Sequence, residues 1–501
     1  MADAPSLLSL PRLATLLTSL LVALSSGTNY VVSAYAPQLG SRLHLSHTQL
    51  NLVALSGNVG VYTSGPVWGK LVDSRGPQIL LIGAFVCLLA GYSGIRSLYD
   101  AGLDEGERLS NMHLSLMILC GFLTGLGGNA GLTSAINSTA KSFPDRLRAT
   151  AVGVVISGFG LSAFFFTSLS HIFFPGDTSR FLLILALGTS LPMILGFFFI
   201  RPIPLPAGDD THTLEHGAAD QYQRLSTNET AGVGRALWTS GDFWLMFSIC
   251  MLLSGTGLMY INNVGSISQA LYTKDNTSYD EVAAAAFQAA QVSMISIMNF
   301  IGRILVGVAA DFTKSRLHYP RSVCITAVAG LFVLSQAITL GMDDVRHLWR
   351  ASALLGLAYG SMFGLFPTIC IEWFGLAHFS ENWGYVSLSP VIGGNLFSLA
   401  FGRNLDAHDS PRASAPANAT LLPADAPSSL RLMRRAGLPS AHQCLDGRDC
   451  YVASLYLTLG ACVVALGLSV WAGWRDTRDR RARGPEVLVE EVVWEVPGAE
   501  E

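Results

Sequence analysis

Twelve stretches of roughly 20 residues, each almost free of ionisable side chains, run through this 501-residue chain. That is the length a helix needs to cross the hydrocarbon of a bilayer. They lie near 13 to 36, 50 to 69, 78 to 96, 113 to 135, 149 to 170, 181 to 200, 243 to 265, 286 to 310, 321 to 341, 349 to 370, 386 to 403 and 451 to 474. A soluble chain of this length would show strand or helix periodicity along shorter apolar segments. Composition agrees: 50% of the residues are hydrophobic and 13% are charged, where soluble domains carry roughly a quarter charged. The expected fold is an all-α membrane protein with twelve transmembrane helices. The first run follows Arg12 and contains "ALSSG", which offers small residues for cleavage. Its apolar stretch continues through "TNYVVSAYA", longer than a signal core, so it is read as a retained first helix.

Twelve crossings put both termini on one side. With the termini and the even-numbered turns assigned to the cytoplasm, 17 Lys and Arg fall there against 13 on the other side, Arg303 staying inside a helix. The positive-inside rule then makes both ends cytoplasmic. Sequons at Asn276 and Asn418 face the lumen or exterior and are candidate glycosylation sites, whereas those at Asn137 and Asn228 face the cytosol. Six of the eight cysteines lie in expected helices and read as small apolar filler. Cys444 and Cys450, in "CLDGRDCY", lie on the oxidising side and are expected to pair, free thiols being the alternative.

An internal repeat divides the chain. "GL" at 125 to 126, Phe143 and Gly153 recur at 356 to 357, Phe374 and Gly384, and Gly69 and Asp73 recur as Gly307 and Asp311. Two pseudo-symmetric six-helix halves follow, residues 1–200 and 243–474. Residues 201–242, opening on "RPIPLPAGDD", read as a flexible cytoplasmic linker, 404–450 as a lumenal loop and 475–501 as a disordered tail. "GLGGNAG" at 125 to 131 has no preceding strand, so its glycines read as close helix packing and not as a dinucleotide loop. No Walker A sequence or zinc-ligand spacing occurs, and no enzyme, cofactor or metal is expected.

The charged hinge "GKLVDSRGP" after the second run and the weaker "GVAADFTKSR" after the eighth resemble the major facilitator superfamily. "SGTNYVVSAYAPQL", "NNVGSI", "NFIGRILVGVAADF" and "IEWFGLAHFSENWG" resemble its nodulin-like branch, and "CLDGRDCY" is similar to fungal probable transporters named for homology to monocarboxylate transporters. The resemblance implies that Gly69, Asp73 and Arg75, with Gly307 and Asp311, clamp the halves on the cytoplasmic side. Asp73 can face the positive end of a helix such as the eleventh. The alternative is a short loop with topogenic charges.

This architecture binds substrate near the midplane, where polar side chains in apolar helices are expensive to leave facing lipid. The candidates are Asn29, Tyr30 and Asn129 in the first half and Tyr260, Asn262, Asn263, Asn299, Arg303 and Asn395 in the second. Arg303 has no evident permanent partner in its own helix, so it is either a site for an organic anion or a structural residue bonded to backbone carbonyls. Animal monocarboxylate transporters carry an aspartate and an arginine four apart in the eighth helix. Here the matching pair is Asn299 and Arg303, and their first-helix lysine matches Ala34. The expected function is a gradient-driven secondary transporter of a small solute, with a proton as candidate coupling ion. A membrane sensor that binds without net transport is the rival. The resemblance implies the vacuolar membrane, with the plasma membrane as runner-up, a monomer in the lipid bilayer and no nucleic acid.

Overall fold

Backbone inside hydrocarbon has no water to bond with, so each crossing must satisfy its own N–H and C=O groups, and the helix does so segment by segment. A computed structural model of the protein describes residues 9–43, 45, 47–102, 109–173, 177–203, 235–274, 281–407 and 447–483. All twelve expected spans are helical, and the described residues contain no strand. The uninterrupted crossings are the third to sixth (Pro77–Ala101, Asn111–Ser142, Asp145–Phe173, Thr178–Phe199), the seventh to tenth (Gly241–Lys274, Glu281–Ser315, Val323–Leu340, Trp349–Phe374) and the twelfth (Val452–Arg483).

Three crossings are broken, which hydropathy does not reveal. The first runs as Leu10–Ser26, a 3-10 turn Thr28–Val31, and Val32–Arg42. The second divides into His47–Thr63 and Gly65–Arg75, with Pro66 just inside the later segment. The eleventh divides into Phe379–Val386 and Ser389–Ala407, with Pro390 just past the break. Proline lacks the N–H that would bond four residues back and its ring crowds that carbonyl, so the breaks in the second and eleventh crossings have a local cause. The eleventh crossing also begins earlier than its apolar run: "FSEN" is already helical, with the Glu381 N–H bonded by the second crossing and Ser380 Oγ by the fourth, as described below.

Gly76 (φ 82°) and Gly375 (φ 83°) end the second and tenth crossings, each N–H returning to the carbonyl four residues back. Only glycine adopts such a φ without strain. On the fourth crossing, a Cβ at Gly127 would lie 2.9 Å from the Cβ of Cys87 and one at Gly131 would lie 2.8 Å from the sulfur of Met193. "GLGGNAG" is thus a packing face: Gly127 and Gly131 receive side chains of the third and sixth crossings, and Gly125 and Gly128 meet the backbone of Gly57 and Ser26 on the second and first.

Two apolar cores result. One draws only on the first six crossings, around Leu80, Leu81, Tyr92 and Phe181. The other is centred on Phe243, Tyr260, Phe332, Phe366 and Phe401, and it also takes in Ile136, Ala140, Ala149, Val152 and Ile156 from the fourth and fifth crossings. The halves therefore meet at the side on which the first crossing begins and the twelfth ends, called the terminal face below. The inner segment of the second crossing lies on that of the eleventh, and the fifth lies along the eighth. Of the expected linker, Arg235–Thr239 is a short helix and residues 204–234 lie outside the described residues.

Candidate functional site

Close backbone contact makes the first seam. A Cβ at Gly69 would lie 2.7 Å from the Cα of Glu381, and one at Gly65 would lie 3.0 Å from the carbonyl of Gly384. One turn past Gly69, the Asp73 carboxylate accepts from the backbone N–H of Glu381 at 2.9 Å and from the Asn137 amide at 2.6 Å. Glu381 is third in the Phe379–Val386 helix, so its N–H has no intrahelical acceptor and carries the positive end of the dipole. Asn137 also donates to Ser380 Oγ at 2.6 Å, and Lys141 Nζ stands 3.5 Å from Asp73. Arg75 points to solvent, and the cation opposite Asp73 is Lys141.

The second seam repeats the geometry with more charge. Gly307 brings the eighth crossing against the fifth: a Cβ there would lie 3.0 Å from the carbonyl carbon of Ala149. Asp311 accepts from the N–H groups of Ala149 and Thr150 at 3.2 and 2.7 Å and from the Thr150 hydroxyl at 2.7 Å. Arg321, its side chain 1% exposed, reaches Asp311 at 2.8 Å, Glu372 at 2.6 Å and Asp145 at 3.0 Å, and it also donates to the Asp145 carbonyl. Lys314 joins Asp145 at 2.7 Å and Glu372 at 2.8 Å. Burial alone would pull the Arg321 guanidinium down, but Glu372, Asp145 and Asp311 outweigh it and hold the group above its usual range. Asp145 belongs to the first half and the other four charges to the second, so this network is a joint between halves.

Deeper in the same seam lies Arg303, about 18 Å along the helix from Ser315 at 1.5 Å per residue. Its own helix suggests no partner, and the structure corrects that expectation. Nε donates to Asn299 Oδ1 at 3.0 Å and Nη1 to the carbonyl of Ile156, on the fifth crossing, at 2.5 Å. The rings of Phe159 and Phe363 stand 5.7 and 6.0 Å from the guanidinium carbon. Glycines on two helices leave the room. A Cβ at Gly160 would lie 3.3 Å from that carbon, and one at Gly364 would lie 3.0 Å from the Arg303 Cα. Arg303 is thus buried between the fifth and tenth crossings and bonded to both halves.

Two helical halves joined at paired glycine–aspartate seams correspond to one known family, whose model, described as Major Facilitator Superfamily, matches residues 18–398. The chain belongs to the major facilitator superfamily. Among its superfamily relatives, the probable transporter MCH1 of Gibberella zeae is 23% identical over 94% of this chain and 91% of its own length. The probable transporter MCH1 of Saccharomyces cerevisiae is also 23% identical, over 77% of this chain and 83% of its own. The proton:xylose symporter XylE superimposes with TM-score 0.60 at 14% identity, covering 92% of this chain and 95% of that one. A bacterial homologue of the iron transporter ferroportin, in its outward-facing state, does so with TM-score 0.59 at 16% identity, over 92% and 98%. At these identities the superpositions establish the superfamily fold. The twelve crossings are those of a multi-pass membrane transport protein.

Within this superfamily fold the remaining polar candidates bond chiefly inside their own halves. Asn129 donates to Ser64 Oγ at 2.9 Å, Tyr260 shares a hydrogen bond with Ser352 at 3.0 Å, and Asn263 and Asn395 return to the carbonyls of Met259 and Val391. Asn262 is exposed. Asn29 and Tyr30 fall in the 3-10 turn of the first crossing, and their side chains lie outside the described residues. Asn276, Asn418 and Cys444 also lie outside them. Cys450 is buried and disulfide-bonded. Sequence reasoning missed Asn137, Lys141, Asp145, Arg321, Glu372 and Ser380. Asn137 was read as a cytosolic sequon and the basic residues as topogenic charge. The spacing of Asn137 and Lys141, four apart at the end of an apolar run, is the one local signal that places them on a common face.

Proposed function

We propose that the protein is a secondary transporter that moves a small organic anion by alternating access. The observation that carries this reading is Arg303, a group that cannot shed its charge, buried within the eighth crossing on the contact between the halves. Superfamily folds place their solutes at the contact between halves, and the planar guanidinium fork suits a carboxylate that takes over from the Asn299 and Ile156 oxygens it bonds in this conformation. The halves are joined on the terminal face, which the distribution of Lys and Arg makes cytoplasmic. In this reading the conformation is closed on the cytoplasmic side. A proton is the candidate coupling ion, in keeping with XylE being named a proton symporter. The membrane proposed is vacuolar, and Cys444 is proposed as the disulfide partner of Cys450, which non-reducing peptide mapping would find as one linked fragment.

The test is uptake into proteoliposomes of the purified chain, over a panel of organic anions and neutral solutes with and without a proton gradient. Net flux of an anion is expected. Arg303→Lys keeps the charge and loses the fork, Arg303→Gln loses both, and each variant is expected to reach the membrane folded with most uptake gone. Normal uptake by either variant, or misfolding of both, assigns Arg303 a structural role. Binding without flux makes the protein a sensor.

A further inference from the structure

The two seams differ in stiffness as well as charge. The fifth and eighth crossings, of 29 and 35 residues, are unbroken and contain no proline. The second and eleventh are each interrupted, and what lies on the terminal side of each break is a short arm: Gly65–Arg75, of 11 residues, and Phe379–Val386, of 8. The arms pack on each other through Gly65, Gly69 and Gly384. At both breaks hydroxyls bond back along the helix: Thr63 to the Val59 carbonyl at 2.6 Å, Ser64 to Val61 at 3.1 Å and Ser387 to Trp383 at 2.8 Å. Such bonds compete with the backbone ladder and accompany bends. Holding the arms together are Asp73 and the neutral donors around it, with Lys141 at 3.5 Å. Holding the straight pair are the Arg321 network and the bond from Arg303 to Ile156.

We infer that the terminal face opens asymmetrically: the two proline-hinged arms swing apart at Ser64 and at Ser387 with Leu388, while the fifth and eighth crossings stay together as the pivot. The inference rests on the alternating-access reading and adds which seam parts. Arms of 11 and 8 residues are about 16 and 12 Å long, so a bend of about 20° at each hinge, the size of a sharp helix kink, carries the tips about 6 and 4 Å, up to about 10 Å apart.

Electron–electron distance measurements on the full chain in lipid nanodiscs test this, with the six free cysteines (Cys87, Cys120, Cys250, Cys324, Cys370, Cys462) replaced by serine. One spin-label pair replaces Ser74 and His378 at the ends of the arms, the other Arg146 and Arg316 at the ends of the straight pair. Asp73→Asn is expected to add a population up to about 10 Å longer to the first pair and to leave the second unchanged, and Pro66→Ala with Pro390→Ala is expected to remove that population. Equal lengthening of both pairs, or lengthening of the second alone, overturns the asymmetry and leaves transport standing. If neither pair moves, with Asp73→Asn or on acidification, alternating access itself is lost and the inference with it.

Discussion

Asp73 and Asp311 occupy equivalent places in the repeat, each four residues past a glycine and each accepting backbone N–H groups from a helix of the opposite half, yet their surroundings differ. Asp73 has one backbone N–H, one amide, the Ser380 hydroxyl and a lysine at hydrogen-bond limit. Asp311 has two backbone N–H groups, a hydroxyl and a buried arginine that also serves two further acids. Duplication preserved the helix-end contact and let its reinforcement diverge. The lesson is that a repeated motif fixes where two halves touch and not how firmly. A conformational cycle needs that freedom, because two equally strong seams would give it no preferred way to open.

The comparison breaks most sharply at Arg321. Arg321→Ala leaves Asp145, Asp311 and Glu372 without their shared cation in a buried joint, a loss expected to cost about 3 kcal/mol or more. It should appear as a lower melting temperature and poor recovery in detergent; a variant as stable as the parent would remove the network from any structural role. Asp311→Asn is expected to cost less, about 2 kcal/mol, because hydrogen bonds to a charged acceptor become neutral while Arg321 keeps two acids. Asp73→Asn should cost about 1 kcal/mol, the worth of a charge at a helix end. That is enough to shift a closed-to-open ratio about fivefold, read as faster thiol labelling of cavity positions from the cytosol. Full expression with unchanged labelling would count against Asp73 as a clamp. Arg75→Ala completes the order: an exposed side chain is expected to change stability by no more than about 0.5 kcal/mol and labelling hardly at all. If its effect equals that of Asp73, the cation of this seam has been misassigned to Lys141.

Hydropathy and the repeat made the fold legible because both are written along the chain: a bilayer demands length, and duplication copies spacing. The seam glycines and aspartates were legible for the same reason. The joint around Arg321 was not, because two of its three acids lie 51 and 176 positions away and spacing arguments reach only as far as one helix. Arg303 was conspicuous as a charge in an apolar run, but its contact with Ile156 joins residues 147 positions apart and involves a backbone carbonyl, which any residue type offers. The midplane asparagines carry a weaker signal for a different reason. Helices packed by small residues satisfy amides locally, so Asn263 and Asn395 bond one turn back and signal nothing about a shared cavity.

The apolar core of the second half contains five side chains from the fourth and fifth crossings, Ile136, Ala140, Ala149, Val152 and Ile156. Ribosomes emit chains from the N-terminus, and domains assemble in that order. The first six helices therefore enter the membrane with a complete core of their own and one flank unfinished, and the later six assemble onto that flank as a template. Split between residues 203 and 235, the first fragment is expected to persist alone and the second to be degraded unless the first is synthesised with it.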